Sequence, residues 1–188
     1  MNISNHGNII SLGEKYSCGT YILKINIFQD KKVVFGRFDQ GKEQYLTKGE
    51  YIYIGSALSN KGATSLGNRL QRHTLRSSHQ PHQINNELTS FFDELHINYT
   101  KNPSPKKLRW NIDYLLELVE SEINKILFIR SSTRYESIWS NYIENLTYIS
   151  VLQRGLGASD SKNETHILVW NGEIDNWNYL IHELNKLI

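Results

Sequence analysis

The alternation of apolar and polar positions predicts a strand-rich first third of the chain. Apolar and β-branched residues fill Gly19 to Phe28, written GTYILKINIF, and this composition predicts the first strong strand. The turn formers QDKK lead into Val33 to Phe38, which we interpret as the return strand of a hairpin. Residues 1–18 are polar and weakly patterned, so we expect a mostly irregular lead-in there.

The third predicted strand, Gly49 to Ala57, reads GEYIYIGSA and carries tyrosines at alternate positions. Side chains alternate between the two faces of a strand, so Tyr51, Tyr53 and Gly55 share one face. Two phenols therefore lie on the same face as a residue that has no side chain.

An amphipathic helix with a basic face is predicted for the segment SLGNRLQRHTLRS. Ser65 is its predicted N-cap, and Leu66 and Leu70 form an apolar pair one turn apart. The basic positions recur at i, i+4 and i+7 on a different stripe: Arg69, His73 and Arg76.

The remainder of the chain alternates helices and strands irregularly. A second helix is predicted for PHQINNELTSFFDELHI, and a third for Trp110 to Glu120, where Asp113 and Glu117 form an acidic pair one turn apart. INKILFIR, YISVL and THILVW are predicted strands, RYESIWSNYIENL is a predicted helix, and QRGLGASDSKNE is a Gly-rich loop. This irregular order favours one α+β domain over residues 19–188. We expect a small mixed or antiparallel sheet flanked by helices, with an extended N-terminal hairpin, a helical insertion at about 80–105 and a C-terminal helix at about 175–188.

Composition narrows the classes of function. The 188 residues are 39% hydrophobic, which suits one domain with its own core. A net charge of +2 gives no overall field that would indicate nucleic-acid binding, so any such binding must come from a local patch. The single cysteine, Cys18, excludes an intramolecular disulfide and a Cys-rich zinc site and fits a reducing cytoplasm. Without a signal-like start or a long apolar run, the sequence predicts a cytoplasmic protein with no membrane partner.

The motifs that could carry chemistry occur in a fixed order. GTY, at residues 19–21, is followed by YIG at residues 53–55 and then by NRLQRH, in which Arg69 and His73 are four residues apart. This order resembles the GIY-YIG nuclease superfamily. YIYIGSA, RLQRH, KKLRWNIDYLL and GLGASDS resemble more closely its uncharacterised branch that is sometimes fused to an endonuclease III-like DNA glycosylase. The resemblance spans Gly19 to about Trp170 and implies a GIY-YIG fold and metal-dependent endonuclease activity on DNA.

The resemblance also implies a role for each motif residue. Tyr21 would help to activate a water molecule, Tyr53 and His73 would support proton transfer, and Arg69 would hold the phosphate. These residue types suit phosphodiester hydrolysis, because the reaction needs a base for the attacking water and cations for the charge that builds on the phosphoryl oxygens.

One divalent metal ion, Mg²⁺ or Mn²⁺, is implied on a carboxylate of a later helix. Asp113 occupies the acidic position of the branch's WHID pattern and is the predicted ligand, with Glu117 as the alternative. Mg²⁺ is commonly bound by one or two carboxylates together with phosphate oxygens and waters. The chain departs from the pattern at Asn111, where relatives have a histidine, and at Ser161 and Asn163, where they tend to carry cysteines.

DNA is the expected partner, with RNA left open. Glycine at positions 19 and 55 would let a phosphate backbone come close, and arginine suits phosphate through its bidentate fork. The residues expected to contact nucleic acid are Gly55, Ser56, Arg72, Arg76, Lys107 and Arg109.

Two other functions stay open. The first is a nucleic-acid-binding domain that kept the fold and lost turnover, motivated by the missing histidine at Asn111. The second is an interaction-only protein that docks a partner through the insertion or the C-terminal helix. The insertion is also a candidate specificity or homodimer element.

Overall fold

A computed structural model describes residues 2–13, 16–77, 79–157 and 164–188. Within these residues the strands are β1 (Ile3–His6), β2 (Ile9–Gly13), β3 (Gly19–Ile27), β4 (Lys31–Val34), β5 (Glu43–Leu46), β6 (Gly49–Ala57), β7 (Ser121–Arg130), β8 (Ile149–Val151) and β9 (Ile167–Trp170). The helices are α1 (Leu66–Thr74), α2 (Asn85–Glu94), α3 (Asn111–Leu116), α4 (Glu136–Glu144) and α5 (Ile174–Lys186). None of the helices in the described part of the chain is both long and apolar enough to cross a membrane.

The central strand of the main sheet is β3. The sheet has the order β1-β2-β7-β3-β6-β9-β8, and β3 pairs antiparallel with β6 on one side and with β7 on the other. At one edge, β1 pairs with β2, and β2 connects this edge to the centre by pairing parallel with β7. Almost every residue of β3 is buried, as its composition of β-branched and aromatic residues predicts.

Helices cover both faces of the sheet. One core contains Tyr21, Leu23 and Ile25 from β3 together with apolar residues of α1, α2 and α3. The other contains Ile22 together with apolar residues of α4 and α5. Alternate side chains of β3 therefore pack into two separate cores, one on each face of the sheet. The α+β class predicted from the sequence is confirmed.

Two expectations for the first part of the chain are wrong. Residues 1–18 are not an irregular lead-in, because β1 and β2 form there and Ile9 and Leu12 are fully buried. Their pattern is too short to read alone, since β2 becomes a strand by pairing with β7, more than a hundred residues later. The second wrong expectation is that Val33 to Phe38 returns along the first strong strand as a hairpin. β4 pairs instead with β5 in a separate two-stranded sheet, and β3 pairs over its whole length with β6 and β7.

The helix predictions hold with shorter ends. Ser65 precedes α1 as predicted, and Leu66 and Leu70 are fully buried. The third helix ends at Leu116 rather than at Glu120, and Val119, which lies beyond its end, is exposed. Within the Gly-rich loop, Ala158 to Asn163, and with them Ser161, lie outside the described residues.

Candidate active site

Tyr21 and Gly55 face each other across the two central strands. They are register partners in the antiparallel pair of β3 and β6. A Cβ atom added at Gly55 would lie 2.6 Å from the Tyr21 hydroxyl oxygen and 2.7 Å from Cζ. The missing side chain therefore makes room for the Tyr21 phenol, and the expectation that Gly55 admits a phosphate backbone is wrong. Gly19 likewise serves packing, because an added Cβ would collide with the Ile129 carbonyl group of β7.

His73 of α1 joins the two motif tyrosines beneath the sheet surface. Its Nε2 atom lies 2.8 Å from the Tyr21 hydroxyl oxygen, and both side chains are fully buried. The ring centroids are 6.1 Å apart for Tyr21 and Tyr53 and 5.8 Å apart for Tyr53 and His73. The anchoring of α1 by Leu66 and Leu70 places His73 there, so residues from three elements converge on one point.

The Tyr21 hydroxyl is hydrogen-bonded to His73 Nε2, and Tyr53 and Arg69 lie close enough to act on the pKa of Tyr21. Tyr21 can donate its own proton to His73 Nε2. Tyr53 retains 6% exposure, whereas Tyr21 and His73 have none. The three side chains therefore form a row that runs inward from Tyr53 through Tyr21 to His73.

Burial keeps the side chains of Tyr21, Tyr53 and His73 uncharged at neutral pH. Burial raises the pKa of Tyr21 far above its usual range, although the charge of Arg69 partly opposes this. Burial also raises the pKa of Tyr53 well above its usual value. For His73, burial lowers the pKa well below its ordinary value, and the negative charge of Asp113 offsets only part of that shift. The site therefore holds two neutral phenols and a neutral imidazole that can accept a proton.

Arg69 supplies the positive charge of the site. Its guanidinium carbon lies 4.3 Å from the centroid of the Trp110 ring, and its Nε atom is buried without a hydrogen-bond partner. In the part of the chain that the structure describes, no carboxylate forms an ion pair with Arg69. A half-buried guanidinium without a counter-charge favours an anionic ligand.

Asp113 does not fit the predicted role of metal ligand. Its side chain is fully buried, and Oδ2 accepts hydrogen bonds from Arg72 at 2.8 Å and from the backbone N–H groups of Arg109 and Trp110 at 2.8 and 3.0 Å. Lys106 lies 3.6 Å from Oδ1. Burial raises the pKa of Asp113, but the neighbouring His73 and Lys106 and the backbone N–H donors outweigh burial and lower that pKa below its usual value. Asp113 is thus an ionised cap of α3 that fixes the preceding segment.

Glu117 is also engaged by protein groups. Both the backbone N–H and the hydroxyl of Ser77 donate to it, and Lys106 Nζ lies 3.5 Å away. Among the described residues there is also no cluster of three or more histidine, cysteine or acidic side chains that could hold a metal ion. Protein cations thus lie beside both predicted metal ligands, Asp113 and Glu117, while Asp113 Oδ1 accepts no hydrogen bond within the described residues.

Glu136, which the sequence analysis missed, is the carboxylate that acts on both tyrosines. It begins α4, and its negative charge raises the pKa of Tyr21 and of Tyr53. Oε2 accepts hydrogen bonds from Ser56 and Arg134, whereas the nearest partner of Oε1 among the described residues is His166 Nδ1 at 3.4 Å. The sequence signal that could have identified Glu136 is its position shortly after β7, the third long strand, at the start of a predicted helix.

The residues expected to contact nucleic acid divide into two groups. Ser56 is buried and donates to Glu136, so it is not free for a ligand. Arg76 lies beyond the end of α1, where it pairs with Glu122 and donates to the carbonyl groups of Leu116 and Ser121; its assignment to a basic face is wrong. The cations that reach solvent are Lys107 and Arg109, with Arg72 partly exposed beside Asp113.

Trp110 was also missed as a site residue. Three guanidinium groups surround its ring, those of Arg69, Arg72 and Arg109, at 4.3, 5.0 and 5.5 Å from the centroid. His73 meets the same ring edge-on with centroids 6.5 Å apart. Trp110 thus links the tyrosine cluster to the exposed cations.

Comparison with known proteins identifies a family. A search of curated proteins and a search of solved structures found no match to this chain. A family model described as "Domain of unknown function DUF123" matches residues 20–187, which is nearly the whole chain. The chain therefore belongs to the DUF123 family.

Proposed function

We propose that this chain is a metal-dependent endonuclease of the GIY-YIG type that hydrolyses DNA phosphodiester bonds in the cytoplasm. The observation that carries the proposal is the convergence of Tyr53, Tyr21 and His73, in which Tyr21 is hydrogen-bonded to His73 Nε2. Arg69 lies beside them and forms no ion pair with a carboxylate of the described residues. A row of this kind moves a proton inward, and the adjacent guanidinium attracts the anion from which the reaction starts.

The hydrolysis can be followed atom by atom. Arg69 binds the phosphate, and a water oxygen attacks phosphorus while the bond to the leaving oxygen breaks. The water proton passes to Tyr53, the Tyr53 proton passes to Tyr21, and the Tyr21 proton passes to His73 Nε2. The leaving oxygen takes a proton from solvent. Asp113 stabilises the imidazolium that results, because its negative charge favours the protonated form of His73.

This sequence of steps revises one role implied by the resemblance. Tyr21 was expected to meet the water, but Tyr21 is fully buried and Tyr53 keeps some exposure. We therefore assign the contact with water to Tyr53 and the inner relay to Tyr21.

We assign a single Mg²⁺ or Mn²⁺ ion to Glu136 rather than to Asp113 or Glu117, because the charge of Glu136 acts on both tyrosines; Arg134 pairs with its other oxygen, Oε2. The Oε1 atom of Glu136 has no closer described partner than His166 at 3.4 Å, which is long for a hydrogen bond. Glu136 would hold the ion together with phosphate oxygens and waters, an environment that Mg²⁺ accepts. The ion would neutralise charge on the phosphoryl oxygens.

The alternative function is a nucleic-acid-binding domain of the same fold without turnover. The engagement of Asp113 and Glu117 by protein cations favours this alternative, because it leaves Glu136 as the sole carboxylate beside the tyrosines in the described structure. It retains the Arg69 anion site and predicts DNA binding without strand scission.

The deciding experiment is cleavage of labelled DNA in Mg²⁺, in Mn²⁺ and in EDTA. We expect Tyr21→Phe, Tyr53→Phe and Arg69→Ala each to lower the rate by about 10²-fold or more, as expected for loss of a proton-transfer or phosphate-binding group. Tyr45→Phe is the matched control, because it removes an exposed hydroxyl that bonds to Asp30 in the small sheet. Cleavage that survives the site variants unchanged would refute the mechanism. Binding without any cleavage would favour the alternative function.

A further inference from the structure

A groove with a volume of about 620 Å³ opens next to the tyrosine cluster. It lies between α1, the short 3₁₀ turn Gly62–Thr64 and the segment that precedes α3. Its apolar lining comes from Ala63, Leu75, Pro103 and Pro105, and its positive charge comes from Arg72, Lys107 and Arg109.

We propose that this groove binds an unpaired stretch of the DNA strand next to the phosphate held by Arg69. The proposal rests on the proposed endonuclease function and names the class of its substrate: DNA with a single-stranded segment at the cleavage point.

The lining distinguishes an unpaired strand from a duplex. A duplex turns its bases inward and presents sugars and charged phosphates, so an apolar lining gains little against it. Unpaired bases have apolar faces that such a lining can bury, while cations beside it meet the phosphates. A volume of about 620 Å³ lies within the size range of pockets that enclose small organic molecules, so it can take bases rather than only a backbone.

The cations of the groove are available for phosphates. Lys107 and Arg109 are exposed, and neither side chain forms an ion pair with a carboxylate of the described residues. By contrast, Lys106 is buried between Asp113 and Glu117 and serves the fold.

The groove is continuous with the site and fixed in place. Trp110 lines it, and the same ring lies 4.3 Å from the guanidinium carbon of Arg69. Asp113 binds Arg72 of one wall and the backbone of Arg109 and Trp110 of the other. A wall held by buried ionic hydrogen bonds needs little ordering when a strand binds.

The test measures binding by fluorescence anisotropy in EDTA, in the full chain carrying Tyr21→Phe, so that cleavage is suppressed during the measurement. The probes are a labelled oligothymidylate, an abasic oligomer of equal length and charge, and a blunt hairpin duplex. We expect the oligothymidylate to bind about tenfold more tightly than the abasic oligomer, because only the oligothymidylate has bases whose faces the apolar lining can bury.

A charge reversal locates the binding. We expect Lys107→Glu to weaken oligothymidylate binding about fivefold through repulsion of phosphates, and to change hairpin binding by less than about twofold. Lys186→Glu is the matched control, because Lys186 belongs to α5 on the opposite face of the sheet. The thermal midpoint of unfolding shows whether each variant is folded. The comparison with the abasic oligomer uses the unaltered groove, so it does not depend on how the variants fold.

Equal affinity for the oligothymidylate and the abasic oligomer would overturn the proposal, as would a Lys107→Glu effect no larger than that of Lys186→Glu. Either result leaves the proposed endonuclease function standing, because strand scission by the unaltered chain in Mg²⁺ is measured separately. Absence of scission together with groove-dependent strand binding would refute the endonuclease and retain the groove.

Discussion

Replacement of Gly55 by alanine tests the geometry on which the relay depends. Gly55 lies opposite Tyr21 in the register of β3 and β6, and the three atoms nearest to an added Cβ all belong to Tyr21. The change adds one methyl group and removes no polar atom. Any loss of activity must therefore come from displacement of the Tyr21 phenol.

The size of the displacement follows from the structure. The new Cβ would lie 2.6 Å from the Tyr21 hydroxyl oxygen, whereas ordinary contacts begin near 3.4 Å, so the phenol must move by about 0.8 Å. Tyr21 is fully buried and cannot turn toward solvent, so its 2.8 Å hydrogen bond to His73 lengthens or bends. Overpacking of this kind costs about 1–3 kcal/mol of stability. A misplacement of nearly 1 Å in a catalytic group lowers the rate by about 10²-fold.

The assay is single-turnover cleavage of labelled DNA in Mg²⁺, accompanied by urea unfolding. The control is a double-mutant cycle with Tyr21→Phe. Because the phenylalanine variant already lacks the hydroxyl, Gly55→Ala should cause no further loss of rate in that background. A wild-type rate in Gly55→Ala, or losses that multiply fully in the double variant, would refute the claim that Gly55 acts through Tyr21.

Three further changes test the charges around the relay. Asp113→Asn should lower the free energy of unfolding by about 3 kcal/mol, because it removes the buried negative charge that Arg72 and Lys106 face. It should leave Mg²⁺ affinity in calorimetry unchanged; lost Mg²⁺ binding at full stability would restore Asp113 as a ligand. The cleavage rate between pH 6 and 8 should show no bend near 6.5, because the pKa of His73 lies well below that value; a tenfold fall per unit below pH 6.5 would contradict a neutral buried imidazole. Burial lowers the pKa of His82 to about 4, so the unfolded chain binds more protons below pH 6.5. The stability from this group is complete above pH 6.5 and is lost as pH falls toward 4, by about 3 kcal/mol in total. His82→Gln should remove that part of the pH dependence in urea unfolding, and an unchanged slope would show that His82 does not titrate this way.

The centre of the sheet could be predicted because its signals are local. The nine-residue strands β3 and β6 each carry their own alternation, and that alternation places Tyr21 and Tyr53 on the face where α1 packs. The apolar pair of Leu66 and Leu70 orients α1 in the same way. The resemblance to a known superfamily then named the residues, and the structure brings Tyr21, Tyr53, Arg69 and His73 together.

The role of Asp113 could not be predicted from its pattern. A carboxylate in the first turn of a helix has the same sequence signature whether it caps the helix or binds a metal. The difference depends on Arg72, which is 41 residues away, and on the burial of Lys106. The same limit applies to Arg76, whose carbonyl partners in the α3–β7 connection exist only after that connection folds against the end of α1.

The arrangement of these charges explains why the site retains a free cation. If Asp113 paired with Arg69, the guanidinium would be neutralised inside the protein and would attract no phosphate. Asp113 pairs instead with Arg72 and approaches Lys106, so Arg69 is held by the face of Trp110. An aromatic face positions a guanidinium and contributes about 0.5–2 kcal/mol without cancelling its charge. The buried ion pair and the tryptophan thus have complementary roles. The first fixes the segment that carries the ring, and the second leaves the positive charge of Arg69 for the phosphate of the proposed substrate.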